Sequence, residues 1–144
     1  MYTVVSKQQF SEKVFKLEIT APLIARSRKA GHFVIVRLGE KGERVPLTIA
    51  GADVEKGTIT LVIQKVGHSS TSICDLGVGD QIADIVGPLG QATHIENFGT
   101  VVCAGGGVGV APMLPIIQAL KAAGNRVISV LAGRSKDLII LEEE

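Results

Sequence analysis

Alternating hydrophobic and polar positions run through the first two thirds of the chain. In Phe15–Ile19 and Ile59–Ile63 every second residue is a large apolar one, which is typical of a β-strand. Phe33–Leu38 is apolar on nearly both faces, and Ile82–Val86 predicts a further short strand. Glycine and proline separate these segments, and no long helical period interrupts them. Residues 1–98 therefore predict a small antiparallel barrel or sandwich.

The pattern changes at about residue 99. Thr100–Ala104 is a short apolar strand, and the glycine run Gly105–Gly109 follows it directly. Apolar residues at helical spacing then predict a helix over Ala111–Ala123, and Val127–Leu131 predicts a second apolar strand. A strand, a glycine loop, a helix and a strand in this order begin a parallel sheet, so residues 99–144 predict the first part of an α/β domain.

The end of the chain raises two alternatives. Ser135 predicts the cap of a last helix over Lys136–Glu144. Two parallel strands are too few for a self-standing doubly wound sheet, so we expect a fragment that ends inside its second domain. The alternative is a native end here, with the half-sheet packed on the barrel. An open apolar edge near Val127–Leu131 also predicts a homo-oligomer of the fragment.

Composition narrows the class of protein. The net charge is +1, which argues against a nucleic-acid binder that works by bulk charge. No apolar run is long enough for a membrane-spanning helix. The two isolated cysteines, Cys74 and Cys103, predict small core residues in a reduced, cytoplasmic protein. His32, His68 and His94 lack ligand spacing, so no metal site is expected.

The glycine loop is the strongest local signal for chemistry. A glycine run between a buried strand and a helix lets the backbone approach a ligand, and the helix N-terminus offers N–H groups to a phosphate. The run Gly105–Gly109 does not follow the G-x-G-x-x-G pattern of dinucleotide sites. A tight turn with close helix–strand packing therefore remains the alternative to nucleotide binding.

Three further motifs are weak when each is taken alone. Arg44 at a strand start could hold a pyrophosphate with two hydrogen bonds, and Thr48 offers a hydroxyl to a flat ring. The segment Gly67–Ile73 combines a glycine with hydroxyls, as in an anion-binding nest. A surface arginine and an ordinary helix cap explain the same residues. Gly87–Gly90 alone indicates only a turn.

Taken in order, these motifs resemble a known family over the whole chain. The resemblance is to the ferredoxin–NADP reductase superfamily. Within it, the chain is most similar to the electron-transfer subunits of dihydroorotate dehydrogenase, sulfide dehydrogenase and NADH-dependent ferredoxin–NADP oxidoreductase. The motifs that carry the resemblance are Gly31-His32-Phe33-Val34, Arg44-x-Pro46-Leu47-Thr48, Gly67-x-x-Ser70-Thr71, Gly87-Pro88-Leu89-Gly90 and Gly105-Gly106-Gly107-Val108-Gly109-x-Ala111-Pro112.

The resemblance implies a fold, cofactors and site residues. It implies a six-stranded antiparallel Greek-key barrel that binds FAD (or FMN), followed by an α/β domain that binds NAD(P)H. It also implies that Arg44 contacts the flavin pyrophosphate, that Thr48 lies near flavin N5, and that Arg134 lies near the nucleotide ribose. The other implied contacts are the ring contacts of Val45, Pro46 and Leu47, the pyrophosphate contacts of Gly67, Ser69, Ser70 and Thr71, and the nucleotide contacts of Gly105, Gly106, Gly107, Val108 and Gly109.

The implied function is electron transfer between NAD(P)H and a partner redox subunit with iron–sulfur or flavin centres. The flavin carries the redox chemistry, so no acid or base residue is required. The chain departs from the family at Leu47, where many members have an aromatic residue. The family's [2Fe–2S] cluster is expected only in a C-terminal segment that this sequence lacks. The competing hypothesis is a non-enzymatic barrel module that binds a nucleotide or a partner chain.

Overall fold

Seven antiparallel strands form the larger of two sheets in the computed structural model, which describes all residues 1–144. Along the sheet the order is β6-β1-β2-β5-β4-β3-β7. The bounds of these strands are β1 Tyr2–Gln9, β2 Val14–Thr20, β3 Phe33–Arg37, β4 Val45–Asp53, β5 Thr58–Gln64, β6 Gln81–Ile82 and β7 Asp84–Leu89.

The two edge strands of this sheet are neighbours in the sequence. β6 pairs with β1 and β7 pairs with β3, and only Ala83 separates them. The sheet therefore closes into a near-barrel, because one stretch of chain leaves one edge and joins the other. The single strand expected over Ile82–Val86 is divided at this corner, which is why the sheet has seven strands where six were expected.

The barrel interior is filled by alternating residues, as the sequence pattern predicted. In β2 the side chains of Phe15, Leu17 and Ile19 are buried, whereas the intervening Lys16 and Glu18 are half-buried. The core cluster has 17 residues, and they are Val4, Phe15, Leu17, Ile19, Ala21, Ile24, Ala25, Val34, Val36, Ile49, Ile59, Leu61, Ile63, Ile73, Cys74, Ile82 and Ile85.

Two short helices cover the ends of the barrel. α1 spans Pro22–Ser27 and α2 spans His68–Cys74. α2 turns Ile73 and Cys74 into the core, and burial raises the pKa of the Cys74 thiol. Cys74 is thus the core residue that the sequence predicted, whereas Cys103 is only half-buried.

The second sheet contains two parallel strands joined by a helix. β8 spans Thr100–Gly106, a one-turn 3₁₀ helix covers Gly107–Gly109, α3 spans Val110–Ala122 and β9 spans Arg126–Ala132. The expected strand–loop–helix–strand order is confirmed, with the helix shifted by one residue. None of the helices in the molecule is long and apolar enough to cross a bilayer.

A small apolar cluster joins the two sheets. Ala50 and Val62, on the outer face of the barrel, lie against Val110 and Ala111 in the first turn of α3. Ile140, close to the C-terminus, completes this cluster.

The last predicted helix is wrong. Lys136–Leu138 forms one 3₁₀ turn, Ile139 is extended, and Leu141 has a positive φ of 58°. The extended backbone carries the side chain of Ile140 into the cluster between the sheets, where it is 4% exposed. Burial of that side chain outweighs the weak local preference for a short, uncapped helix.

The strand β1 was not predicted. Its sequence has adjacent apolar residues at Val4 and Val5 and no regular alternation. Pairing with β2 is interrupted by a register shift between Val4 and Ser6, so Val4 is buried while Val5 is exposed. Such a bulge destroys the period of two on which the sequence interpretation depended.

Candidate functional site

The glycine loop opens onto a cleft between the two sheets. The cleft has a volume of about 760 Å³ and lies at the carboxyl ends of β8 and β9. Ligands of open α/β sheets bind outside the carboxyl ends of the strands. Four residues predicted from the sequence line this cleft together, namely Gly106, Gly107, Val108 and Arg134.

The backbone of the loop shows why glycine is needed there. Gly107 has a φ of +56°, a conformation that residues with a side chain rarely adopt. A Cβ on Gly105 would lie 3.0 Å from Cε of Met113, so the helix packs directly on the strand end. A Cβ on Gly107 or Gly109 would meet open space, and Gly107 presents this bare backbone to the cleft.

The opposite wall of the cleft comes from the barrel. The turn between β1 and β2 contributes Ser11, Glu12 and Lys13, and the end of β5 contributes Gln64. Lys13 and Arg134 are both exposed and form no ion pair within the chain. No sequence pattern pointed to Lys13, because only the packing of the two sheets brings this turn to the cleft.

The segment of β4 that the sequence predicted as the flavin site, Val45–Thr48, has side chains on both faces of the barrel wall. Thr48 is the register partner of Phe33, and Pro46 is the partner of Ile35. These four half-buried or exposed residues share the outer face. Leu47 faces the other way and packs, like Val45, against the barrel core. The outer face therefore offers an apolar surface with one hydroxyl, on the side where Ala50 meets α3.

The predicted phosphate segment forms the beginning of α2. Its serines are already engaged within the chain. The backbone N–H groups of Val66 and Gly67 donate to the hydroxyl of Ser70, each at 2.9 Å. The hydroxyl of Ser69 donates to the carboxylate of Glu43. These bonds fix the turn and bring it beside the loop that precedes Arg44. Because both backbone groups of Gly67 are engaged, Thr71 is the one residue of the segment whose hydroxyl is left without a partner in the chain.

A second cleft, of about 470 Å³, lies where this turn meets the start of β4. Its walls include Glu43, Val45, His68 and Ser69. Arg44 borders the same loop and is 58% exposed, with Nη1 4.0 Å from Oδ2 of Asp84. The two segments that the sequence predicted as one pyrophosphate site are thus neighbours, although they lie 23 or more positions apart in the chain.

An ion pair encloses the α2 segment. Lys65 precedes it and Asp75 follows it, with Nζ 2.8 Å from Oδ1. The hydrogen bond between them raises the pKa of Lys65 and lowers the pKa of Asp75. Lys65 also lies over the ring of Phe15, at 5.0 Å from the centroid. The pair holds the two ends of the turn together on the barrel surface.

The residues present are compatible with a bound flavin dinucleotide. An exposed guanidinium and open backbone N–H groups suit phosphate, and the outer face of β4 and β3 suits a flat aromatic ring. Gly106 and Gly107, in the wall of the 760 Å³ cleft, suit a second nucleotide in the same way. The carboxylates of Glu43 and Asp84 work against an anion, but each is matched by a donor from this chain.

Comparison with known proteins gives close relatives. The chain matches no family model. It is 43% identical over 141 residues to a protein of Thermotoga maritima named as a homologue of the dihydroorotate dehydrogenase B (NAD(+)) electron transfer subunit. That match covers 98% of this chain and 50% of the relative. The chain spans about half the length of the curated relatives it matches.

Solved structures agree with this. The structure of an NADH-dependent reduced ferredoxin–NADP oxidoreductase, described in a study of flavin-based electron bifurcation, matches with a TM-score of 0.97 and 43% identity. The match covers 99% of this chain and 52% of that one. Phthalate dioxygenase reductase matches with a TM-score of 0.80 at 20% identity, over 95% of this chain and 44% of that one, which shows a shared fold. The resemblance seen in the sequence and the expected fold are confirmed.

Proposed function

We propose that this chain, a homologue of electron-transfer subunits with the ferredoxin reductase-like fold, is the flavin-binding part of an oxidoreductase that passes electrons from NAD(P)H to a partner redox subunit. The observation that carries the proposal is the contact between the barrel and the α/β unit. The outer face of β4 and the glycine loop before α3 lie on the same side of the barrel, because Ala50 of β4 packs on the first turn of α3. A flavin and a nicotinamide nucleotide held on these elements would be neighbours.

The flavin site in this proposal uses the barrel, residues 1–98. Arg44 holds the pyrophosphate, Thr71 contributes its hydroxyl, Gly67 leaves open space where a side chain would stand, and Thr48 lies beside the ring. Two expected contacts take a different role. Ser70 keeps the turn in shape through its bonds to Val66 and Gly67, and Ser69 holds Glu43.

The nucleotide site uses residues 99–144. The carboxyl ends of β8 and β9 contribute Gly106, Gly107, Val108 and Arg134 to the cleft. Gly105 and Gly109 support the loop at its two ends, where the strand finishes and the helix starts. Arg134 is exposed and is the charged residue of this group. Its positive charge suits a phosphate, and its N–H donors suit a ribose hydroxyl.

A bound flavin supplies hydride acceptance and one-electron release, so this chain needs no acid or base residue. The protein's part is to orient and to exclude water. Phe33, Ile35 and Pro46 present apolar surface to one side of a ring, and the hydroxyl of Thr48 is the polar group within that surface. FAD fits better than FMN, because the cleft beside α2 offers space for a nucleotide beyond the first phosphates.

Partners and location remain part of the proposal. The partner is a redox subunit with iron–sulfur or flavin centres, and the location is the cytoplasm. A [2Fe–2S] cluster does not fit this chain, because cluster ligation takes four cysteines and only Cys74 and Cys103 are present. In this proposal, the ligands of such a cluster would come from the part of the relatives that this chain does not match.

Absorption spectroscopy tests the proposal. The purified 144-residue chain is incubated with FAD, desalted and scanned, and we expect flavin bands to remain with the protein. Addition of NADH or NADPH without oxygen then identifies the nucleotide that bleaches the bands. Retention of no flavin after incubation with excess FAD would favour the non-enzymatic binding module.

Arg44→Ala tests the assignment within the site. Loss of a charge-assisted hydrogen bond to the pyrophosphate should weaken FAD binding about tenfold or more. Arg126→Ala is the matched control, since Arg126 is an exposed arginine at the start of β9. Equal affinities of the two variants would contradict the role of Arg44.

A further inference from the structure

Three charged side chains meet beside the strand start that carries Arg44. Nη2 of Arg37 lies 3.4 Å from Oδ2 of Asp84, and Nη1 of Arg44 lies 4.0 Å from the same oxygen. Arg37 ends β3 and Asp84 begins β7, where the two residues are register partners. One carboxylate therefore faces two guanidinium groups, with Arg37 as the nearer.

The two arginines are held very differently. The side chain of Arg37 is 26% exposed, and its Nη1 donates to the carbonyl oxygen of Glu40 at 3.1 Å. Its Nε is buried without a partner, so the chain packs closely around this group. The side chain of Arg44 is 58% exposed and donates no hydrogen bond within the chain. Arg37 is thus a fixed partner for Asp84, while Arg44 can turn toward solvent.

We infer that Arg37 is a positioning residue for flavin binding, because it neutralises Asp84 and so leaves Arg44 available for the pyrophosphate. This inference rests on the proposed function, since it needs Arg44 at the flavin. Neither the motifs nor the relatives' names assign a role to Arg37 or Asp84.

Removal of Arg37 would change the site in two ways that act together. Asp84 would keep Arg44 as its single cationic neighbour, and an ion pair between them would compete with the pyrophosphate. The unneutralised carboxylate would also repel the pyrophosphate directly. Glu43 adds to this repulsion, because it precedes Arg44 in the same loop and its only recorded partner is the neutral hydroxyl of Ser69.

A double-mutant cycle tests the inference in the full 144-residue chain. R37Q should raise the dissociation constant for FAD about three- to fivefold, the range of a partly exposed ion pair. D84N should bind FAD at least as tightly as the unsubstituted chain. In the D84N background, R37Q should have no effect, because the competitor for Arg44 is gone. Fluorescence titration measures all four affinities.

Two controls separate this role from others. R126Q removes an exposed arginine that forms no ion pair, and it should leave FAD affinity unchanged. Riboflavin has the ring without the phosphates, so its weaker binding should be the same in all variants. Loss of the Arg37 bond to Glu40 could loosen the loop before Arg44, but D84N cannot restore that bond.

The possible results are distinct. If R37Q weakens FAD binding equally with and without D84N, or weakens riboflavin binding as well, Arg37 does not act through Asp84 and the inference is overturned. If R37Q has no effect while R44A weakens FAD binding, the inference is overturned and the proposed function stands. If R44A itself has no effect, the proposed pyrophosphate site fails first.

Discussion

The barrel and the parallel sheet bury their apolar residues in different ways. The barrel encloses a cluster of 17 buried residues drawn from its own strands and helices. No residue of β8 or β9 is buried, and Val102, Ile128 and Val130 are exposed on the face opposite α3. Parallel sheets normally have both faces covered. The second unit is therefore ordered by what it touches rather than by a core of its own.

Two contacts with the rest of the chain support the parallel sheet. Val110 and Ala111 rest on the outer face of the barrel. Asn125, which is 6% exposed, accepts hydrogen bonds from the N–H groups of Phe98 and Gly99 and donates to the carbonyls of Glu96 and Leu120. A barrel with a core of its own thus carries a dependent unit, and substitutions can separate the two.

Leu61→Ala should have the largest effect. Leu61 is fully buried in the barrel core, and a cavity of this kind costs about 2–5 kcal/mol of unfolding free energy. Val102→Ala, on the bare face at 62% exposure, should change stability by less than about 0.5 kcal/mol. Urea denaturation at several protein concentrations measures both. If Val102→Ala instead lowers the free energy of unfolding strongly, and by an amount that depends on protein concentration, a second copy of the chain covers this face. The parallel sheet would then not differ from the barrel in leaving apolar residues uncovered.

Asn125→Ala should have the next largest effect, and it should fall on one unit. The substitution removes the side-chain partner of the Phe98 N–H and of the Glu96 carbonyl, at a cost of about 1–3 kcal/mol, whereas the Leu120 carbonyl keeps its bond from the backbone N–H at position 125. Hydrogen exchange should quicken in β8 and β9 while β2 and β5 keep their protection. Equal loss of protection in both sheets would show that the two units unfold together.

The sequence predicted the self-contained features better than the dependent ones. Alternation of apolar residues in β2 and β5 indicates which face of the strand lies in the barrel core. The glycine run indicates a backbone conformation that other residues rarely adopt. Both features can be recognised from a few neighbouring residues in the sequence. Asn125 resembles any residue after a helix, because its four partners come together only when the linker packs against α3. Lys13 and Arg37 were not predicted as site residues for the same reason: their partners are brought to them only by the fold. The predicted last helix failed because Ile140 is buried by a tertiary contact.

Gly107→Ala should be milder and should act on the loop alone. Its φ of +56° makes a Cβ strained even though nothing lies within 4 Å, so we expect a cost of about 1–2 kcal/mol. Gly109→Ala is the matched control, because Gly109 has a φ of −63° and equally open surroundings. Thermal unfolding of the two variants gives the comparison. Similar melting temperatures would mean that the loop relaxes freely.

Asp75→Asn should have the smallest effect, confined to a defined pH window. The folded pKa of Asp75 is lowered by its hydrogen bond from Lys65, so its contribution is present above the unfolded pKa and is lost as the pH falls through the folded value. The pKa of Lys65 is raised by the same bond, so its contribution is present below the unfolded value and is lost as the pH rises through the folded one. Between these limits the pair is charged.

The difference in melting temperature between the unsubstituted chain and Asp75→Asn should therefore be constant near neutral pH. It should shrink at acidic pH, shrink again at strongly basic pH, and diminish with added salt because both groups reach solvent. Glu55→Gln, an exposed carboxylate in the β4–β5 turn without an ion pair, should show no such window. If the difference in melting temperature does not change with pH, Asp75 supports α2 as the residue that caps its C-terminus and not through its charge, and the ion pair with Lys65 is not needed to hold this helix on the barrel.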